Sequence, residues 1–164
     1  MKNKIGLLLI IFSIFLYVNK QLYYRNNVIY QNKIINKTKD NHLEKVEYIE
    51  IPKYNIRRII KNDISNNILD NYYVGYMKIN NPNLIVIAGH DINLVFHKIH
   101  YLKDNDTIYI NNNKYIVYDY KEIDINDYSD INKKYDKKTL MLITCTNDKN
   151  KRYIVLAHFS MLAK

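Results

Sequence analysis

Hydrophobic and polar positions divide the chain into two unlike parts. Ile5 to Val18, IGLLLIIFSIFLYV, carries no charge and follows the basic stretch MKNK. As a helix it rises about 21 Å, short of a bilayer core of about 30 Å. Tyr17, Tyr23 and Tyr24 with Lys20 and Arg25 extend that span if they snorkel at the interface. No small-residue cleavage site follows, only YVNKQLYYR, so an uncleaved signal anchor is expected over residues 1–20 ahead of a cleaved signal or a buried helix. Lys2 and Lys4 at the short end point to an N-terminus inside and a domain outside, although Lys20 and Arg25 weaken that bias. Residues 21–45 are polar, basic and rich in Asn and Gln, which suits a juxtamembrane stalk with a helical continuation around Tyr23 to Ile35.

From Val46 the pattern changes to short β-rich runs. VEYIEIP (46–52) alternates until Pro52 limits pairing. LIVIA (84–88), TIYI (107–110), KYIVYDY (114–120), TLMLIT (139–144) and YIVLAHF (153–159) read as strands. Asn111 to Asn113 separates two of them as a hairpin, with Asn taking left-handed positions that glycine otherwise fills. Two helical patches are expected, about Asp63–Leu69 and Leu94–Tyr101. Many short strands and few helices predict a mainly β domain over 46–164, a barrel or sandwich and mostly antiparallel.

Composition changes this picture little. The 164 residues suit one such domain, and three glycines with two prolines exclude collagen-like and low-complexity classes. The net charge of +9 invites a nucleic-acid reading, but residues 1–41 hold seven basic groups against Asp40 alone. Only +3 remains from His42 onward, so no nucleic-acid partner is expected.

The candidate chemistry starts from the single cysteine. Cys145 ends TLMLIT, the chain turns through TNDKN, and Arg152 opens the next run. An unpaired thiol is inert, linked to another chain, or reactive. If the flanking strands form a hairpin, Arg152 faces Cys145, where a guanidinium favours thiolate and can stabilise an oxyanion. A cysteine nucleophile also needs a proton donor for its leaving group. Of five histidines, His42 falls in the stalk and His158 in the last strand, where a structural role is expected. His97 and His100 lie three apart, a weak metal pair without a third ligand at a recognisable spacing. His90 ends LIVIA through Ala88-Gly89-His90, an imidazole at a strand end beside a glycine that permits close backbone approach.

Together these stretches resemble the sortase family of cysteine transpeptidases. IEIPKYNI (49–56) is similar to its first strand, VIAGHD (86–91) to its histidine motif, FHKIHYLKDNDTIYI (96–110) to its helix and next strand, and LITCTNDKNKR (142–152) to its Leu-x-Thr-Cys and downstream arginine. The motifs stand in the family's order and spacing over about 46–160, and the N-terminal anchor fits as well. Three departures exist. Met141 stands where threonine is usual, Asn105-Asp106 replaces Gly-Asp, and INNPN replaces a Pro-Gly-rich turn. The lost glycines put loop shapes in doubt more than catalysis.

The resemblance implies a mixed closed barrel of seven or eight strands with one or two short helices. It implies Cys145 as nucleophile, His90 as acid and base, and Arg152 on the oxyanion or substrate backbone, with Ala88 and Thr144 bordering the substrate groove. The implied substrates are exported proteins with a Leu-Pro-x-Thr-Gly-like sorting signal, and the acceptor is an amine of a peptidoglycan precursor or a pilin-like lysine. With no second hydrophobic span read before Lys164 and no Asp-Pro-aromatic lid motif, a class A or D enzyme is expected over a pilus-polymerising one.

The long segment Lys121–Lys138 is expected to wall the groove, with a helical turn near Asp127–Ile131, in preference to a solvated connector. Asp124, Asp127 and Asp130 are weak evidence for calcium, and no cofactor or required metal is expected.

Rival enzymes fit less well. Cysteine phosphatases need Cys-x5-Arg, whereas this spacing is Cys-x6-Arg with no glycine in the loop. Papain-like proteases place cysteine before histidine, and the Ser-His-Gly-Cys run of L,D-transpeptidases is missing. The alternative from another class is an anchored, non-catalytic β-barrel that binds wall polymer or nucleic acid through Tyr and Lys.

Overall fold

The computed structural model describes residues 2–41 and 46–160, with side chains described from residue 5 to 39 and from 46 to 160. His42 lies outside the described residues. The N-terminal run becomes one helix, α1 (Lys2–Asn41), and it is long and apolar enough to cross a membrane. Its apolar half is exposed, Leu7 to Leu9 and Phe12 included.

Eight strands follow: β1 (Tyr48–Ile51), β2 (Ile56–Lys61), β3 (Val74–Met77), β4 (Leu84–Ala88), β5 (Thr107–Ile110), β6 (Asn113–Asp124), β7 (Thr139–Cys145) and β8 (Lys151–Ser160). They close into a barrel in the order β1-β2-β3-β4-β7-β8-β6-β5, and β5 returns to β1. Two of the eight pairings are parallel, β2 with β3 and β4 with β7. The mixed, mainly antiparallel barrel is therefore the expected one. Inward residues such as Ile49, Ile87, Phe96, Ile108, Leu142 and Val155 fill it and are fully buried.

β4 and β5 occupy the runs read from the sequence. β6 runs longer than KYIVYDY, through a bulge between Val117 and Asp119, so only residues 125–138 form the connection to β7. That connection is exposed along most of its length and is pinned to the barrel where Asp130 and Tyr135 are buried. It carries a short helix, α3 (Ser129–Asn132), and Tyr135 is buried over Leu84, Val86 and Met141 on the outer face of β4 and β7. Asn81 donates to the carbonyls of Ile131 and Lys133, at 3.1 and 3.0 Å, and Asn83 donates to Tyr135 O at 2.7 Å. The asparagines that replace the glycine-rich turn thus hold the connection down.

Asparagine also supplies the missing backbone freedom. Asn55, Asn105 and Asn111 have φ of 53°, 69° and 53°, in the left-handed region that glycine otherwise takes. The expected helix at Leu94–Tyr101 is shorter, a 3-10 helix at His97–Tyr101, and the first patch is α2 (Asn66–Leu69). β2 and β3 were not read as strands.

Candidate active site

Two parallel strands set the site. β4 and β7 pair in register from Leu84↔Thr139 to Ala88↔Ile143, so Gly89 and Thr144 follow side by side, with Cys145 still paired to β8. Those ends are laced together: Gly89 N–H donates to Ile143 O at 3.1 Å, and the buried Thr144 hydroxyl donates to Gly89 O at 2.8 Å. A Cβ at Gly89 would lie 2.7 Å from the Phe96 ring, so only glycine lets the chain turn this close to the core. His90 and Cys145 follow at the two neighbouring strand ends.

The His90 backbone is fixed by its carbonyl, which accepts from the N–H groups of Ile92 at 2.9 Å and Phe96 at 3.1 Å. Its ring is half-buried, and Nε2 lies 2.9 Å from Asp70 Oδ1. Asp70 follows α2 and was missed by sequence reasoning; it stands one residue beyond the expected helical patch, and no motif marks it. Cys145 is a free, exposed thiol.

Arg152 is the cross-strand partner of Cys145 in the β7–β8 hairpin, as the sequence suggested. Its Nη1 donates to Lys151 O at 2.8 Å and Lys149 O at 3.3 Å, which anchors the guanidinium on its own turn. That turn has no glycine and is built by side chains instead. The Thr146 hydroxyl donates to Asp148 O at 2.9 Å, and Asn150 N–H donates to Asp148 Oδ1 at 2.9 Å. Ala88 is half-buried between Gly75 of β3 and Ile143 of β7, at the mouth of the same strand ends.

Three other histidines lie among the described residues. His97 Nδ1 and His100 Nε2 both approach Asp91 Oδ1, at 2.9 and 3.3 Å. They line a cavity of about 430 Å³ with Tyr101, Thr146 and Asn147, next to the strand ends. His158 stacks on Tyr118 at 3.7 Å, and burial pushes its imidazole below the ordinary value, the structural role expected of it. Asp127 accepts from Ser129 N–H, and Asp130 pairs with Lys121 at 2.9 Å, so two of the three carboxylates weighed for calcium have protein partners. A larger cavity of about 1050 Å³ lies around Lys39, Glu47, Tyr48 and Asn111, and none of the site residues lines it.

A closed eight-stranded barrel with a parallel strand pair ending in histidine and cysteine defines a class of protein, and independent comparisons agree. A Sortase domain model matches residues 49–160, and the chain belongs to the sortase family of transpeptidases. Among solved structures, it is similar to a Clostridium perfringens sortase C determined with the C-terminal cell wall sorting motif, at 25% identity over 85% of this chain and 89% of that one, with TM-score 0.63. A Clostridium perfringens sortase D5 transpeptidase shares the fold at 24% identity, covering 84% and 94% of the two chains with TM-score 0.61. So does a Listeria monocytogenes sortase A, at 22% identity, 71% and 87% coverage and TM-score 0.60. No curated protein matches the chain.

Proposed function

We propose that this sortase is a membrane-anchored cysteine transpeptidase that cuts a sorting signal on exported proteins and joins the new carboxyl end to an amine. The observation that carries the reading is the parallel register of β4 and β7, which brings His90 and Cys145 to adjacent strand ends with Arg152 across from the cysteine. Cys145 Sγ attacks the threonine carbonyl carbon of a Leu-Pro-x-Thr-Gly-like signal and forms a tetrahedral oxyanion. Arg152 hydrogen-bonds that oxyanion or the neighbouring substrate backbone. The C–N bond then breaks, the glycine amine leaves with a proton from His90, and a thioester remains. An acceptor amine attacks the thioester, His90 takes its proton, and Cys145 leaves as thiolate.

Ala88 borders the groove, Thr144 supports it from beneath through its bond to Gly89 O, and the connection 125–138 forms one wall of it. Residues 1–20 anchor the chain with the barrel outside the membrane, residues 21–45 link the two, and 46–164 form the catalytic domain. The Clostridium perfringens sortase C with the sorting motif supports the substrate class. The acceptor is an amine of a peptidoglycan precursor or of another protein. No nucleic acid and no cofactor take part. The test is cleavage of a peptide library by the full-length protein. Selection of Leu-Pro-x-Thr-Gly-like peptides is expected. Preference for a signal without proline at its second position would remove that substrate class while leaving the cysteine chemistry.

A further inference from the structure

Proton transfer at both steps needs an imidazole held in one orientation, and the structure holds it through a residue that no motif identifies. Asp70 Oδ1 lies 2.9 Å from His90 Nε2, the ring nitrogen that Asp70 thereby engages, and Nδ1 is left for the reaction. The Asp70 side chain is 70% exposed and that of His90 34% exposed, so solvent screens most of their attraction. Charge alone would not keep a surface carboxylate in place. The turn that carries it can.

Asp70 N–H closes α2 by donating to Asn66 O at 2.8 Å. The next two residues are gripped by one face of α1. Asn27 Nδ2 donates to Asn71 O at 2.8 Å, Gln31 Nε2 donates to Tyr72 O at 3.1 Å, and the Tyr23 hydroxyl donates to Asn71 Oδ1 at 2.5 Å. Tyr72 has φ of 64°, a left-handed conformation unfavourable for an aromatic side chain. Its ring packs against Tyr24 with centroids 4.4 Å apart. A strained turn of this kind persists only where its surroundings over-determine it, and here those surroundings are Tyr23, Tyr24, Asn27 and Gln31.

We propose that Asp70 is a positioning residue for His90 and that α1 holds Asp70 in place, so the helix bearing the membrane span also completes the active site. The proposal rests on the transpeptidase reading above for its effect on rate, but its structural half does not. In the full-length chain in detergent micelles, the test compares wild type, Asp70→Ala, Asp70→Glu and Asn27→Ala. Peptide-cleavage kcat and KM are measured, together with the His90 tautomer from imidazole ¹⁵N shifts assigned by loss in His90→Gln.

In wild type the neutral His90 ring is expected as the Nε2–H tautomer. Asp70→Ala should mix the tautomers and lower kcat about tenfold with KM little changed, because orientation and not binding is lost. Asp70→Glu should recover part of both signals. Asn27→Ala should shift both in the same direction by less, with Cys145 thiol labelling unaltered. Wild-type kcat and an unchanged tautomer in Asp70→Ala would overturn the proposal. Cleavage that survives Cys145→Ala would instead sink the transpeptidase reading, and the tautomer would still decide the role of Asp70.

Discussion

Two stretches of the barrel's outer surface are covered, and in different proportions of apolar and polar contact. Over β4 and β7 the cover is apolar: Tyr135 is buried with Leu84, Val86, Met141, Ile154 and Leu156, flanked by Ile131. Over β1 and β2 the cover is α1, and it is held largely by polar groups. Gln31 is fully buried, accepts from Ile59 N–H at 3.1 Å and donates to Tyr72 O, while Ile35 packs on Tyr48 and Ile59. Arg57 ties Asn36 and Glu50 to the same surface, and Lys39 reaches Glu50 at 2.9 Å. The first cover rests on one apolar side chain, with Asn81 and Asn83 tying its backbone down at the edge. The second specifies a position, because each buried polar group needs its own partner.

This difference predicts unequal responses to mutation. Tyr135→Ala removes a ring that is 5% exposed, and it should destabilise the barrel by about 3 kcal/mol or more, read from chemical denaturation. A loss below about 1 kcal/mol would mean that the connection 125–138 is not part of the folded unit. Gln31→Ala leaves Ile59 N–H without its partner and should cost about 1–3 kcal/mol. An unchanged midpoint would break the idea that α1 is polar-locked onto β2.

The smallest effect concerns pH and lies on β8, at the far edge of β7. His158 is held below its ordinary value of 6.5 mainly by burial and secondarily by Lys137. The folded state therefore binds this proton less readily than the unfolded chain. Its contribution is fully present above pH 6.5 and fades as pH falls below that value. His158→Phe should flatten that part of the stability-against-pH curve; an identical slope in both proteins would contradict the assignment.

The same comparison explains what was legible in the sequence. β4 and β7 are covered on both faces, so LIVIA and TLMLIT appear as unbroken apolar runs and stood out as strands. β2 reads IRRIIK, where Ile59 is buried beneath α1 and Arg58 beneath the turn after His90, with its guanidinium donating to Leu94 O. Burial pushes that guanidinium down to about 10, and an arginine pair in a short run hides a strand from any reading based on alternation. β3 has only four residues and includes Gly75, whose missing side chain leaves room for the backbone at Asp63.

His90, Cys145 and Arg152 were legible because each sits at a strand end within a distinctive run. Asp70 was not, since its contact with His90 depends on where the end of α2 lies in the fold. Likewise, a polar, basic stretch after the apolar run reads as a stalk, and only its contacts with Asn71 and Tyr72 reveal a docked helix.

The central claim is that Cys145 forms a covalent acyl intermediate at this strand end. It is tested most directly by mass spectrometry of the full-length protein after brief incubation with a Leu-Pro-x-Thr-Gly peptide. An adduct of the fragment ending in threonine is expected on the peptide that contains Cys145, released by hydroxylamine and lost in Cys145→Ala. Cleavage of the same peptide by the Cys145→Ala protein would contradict it.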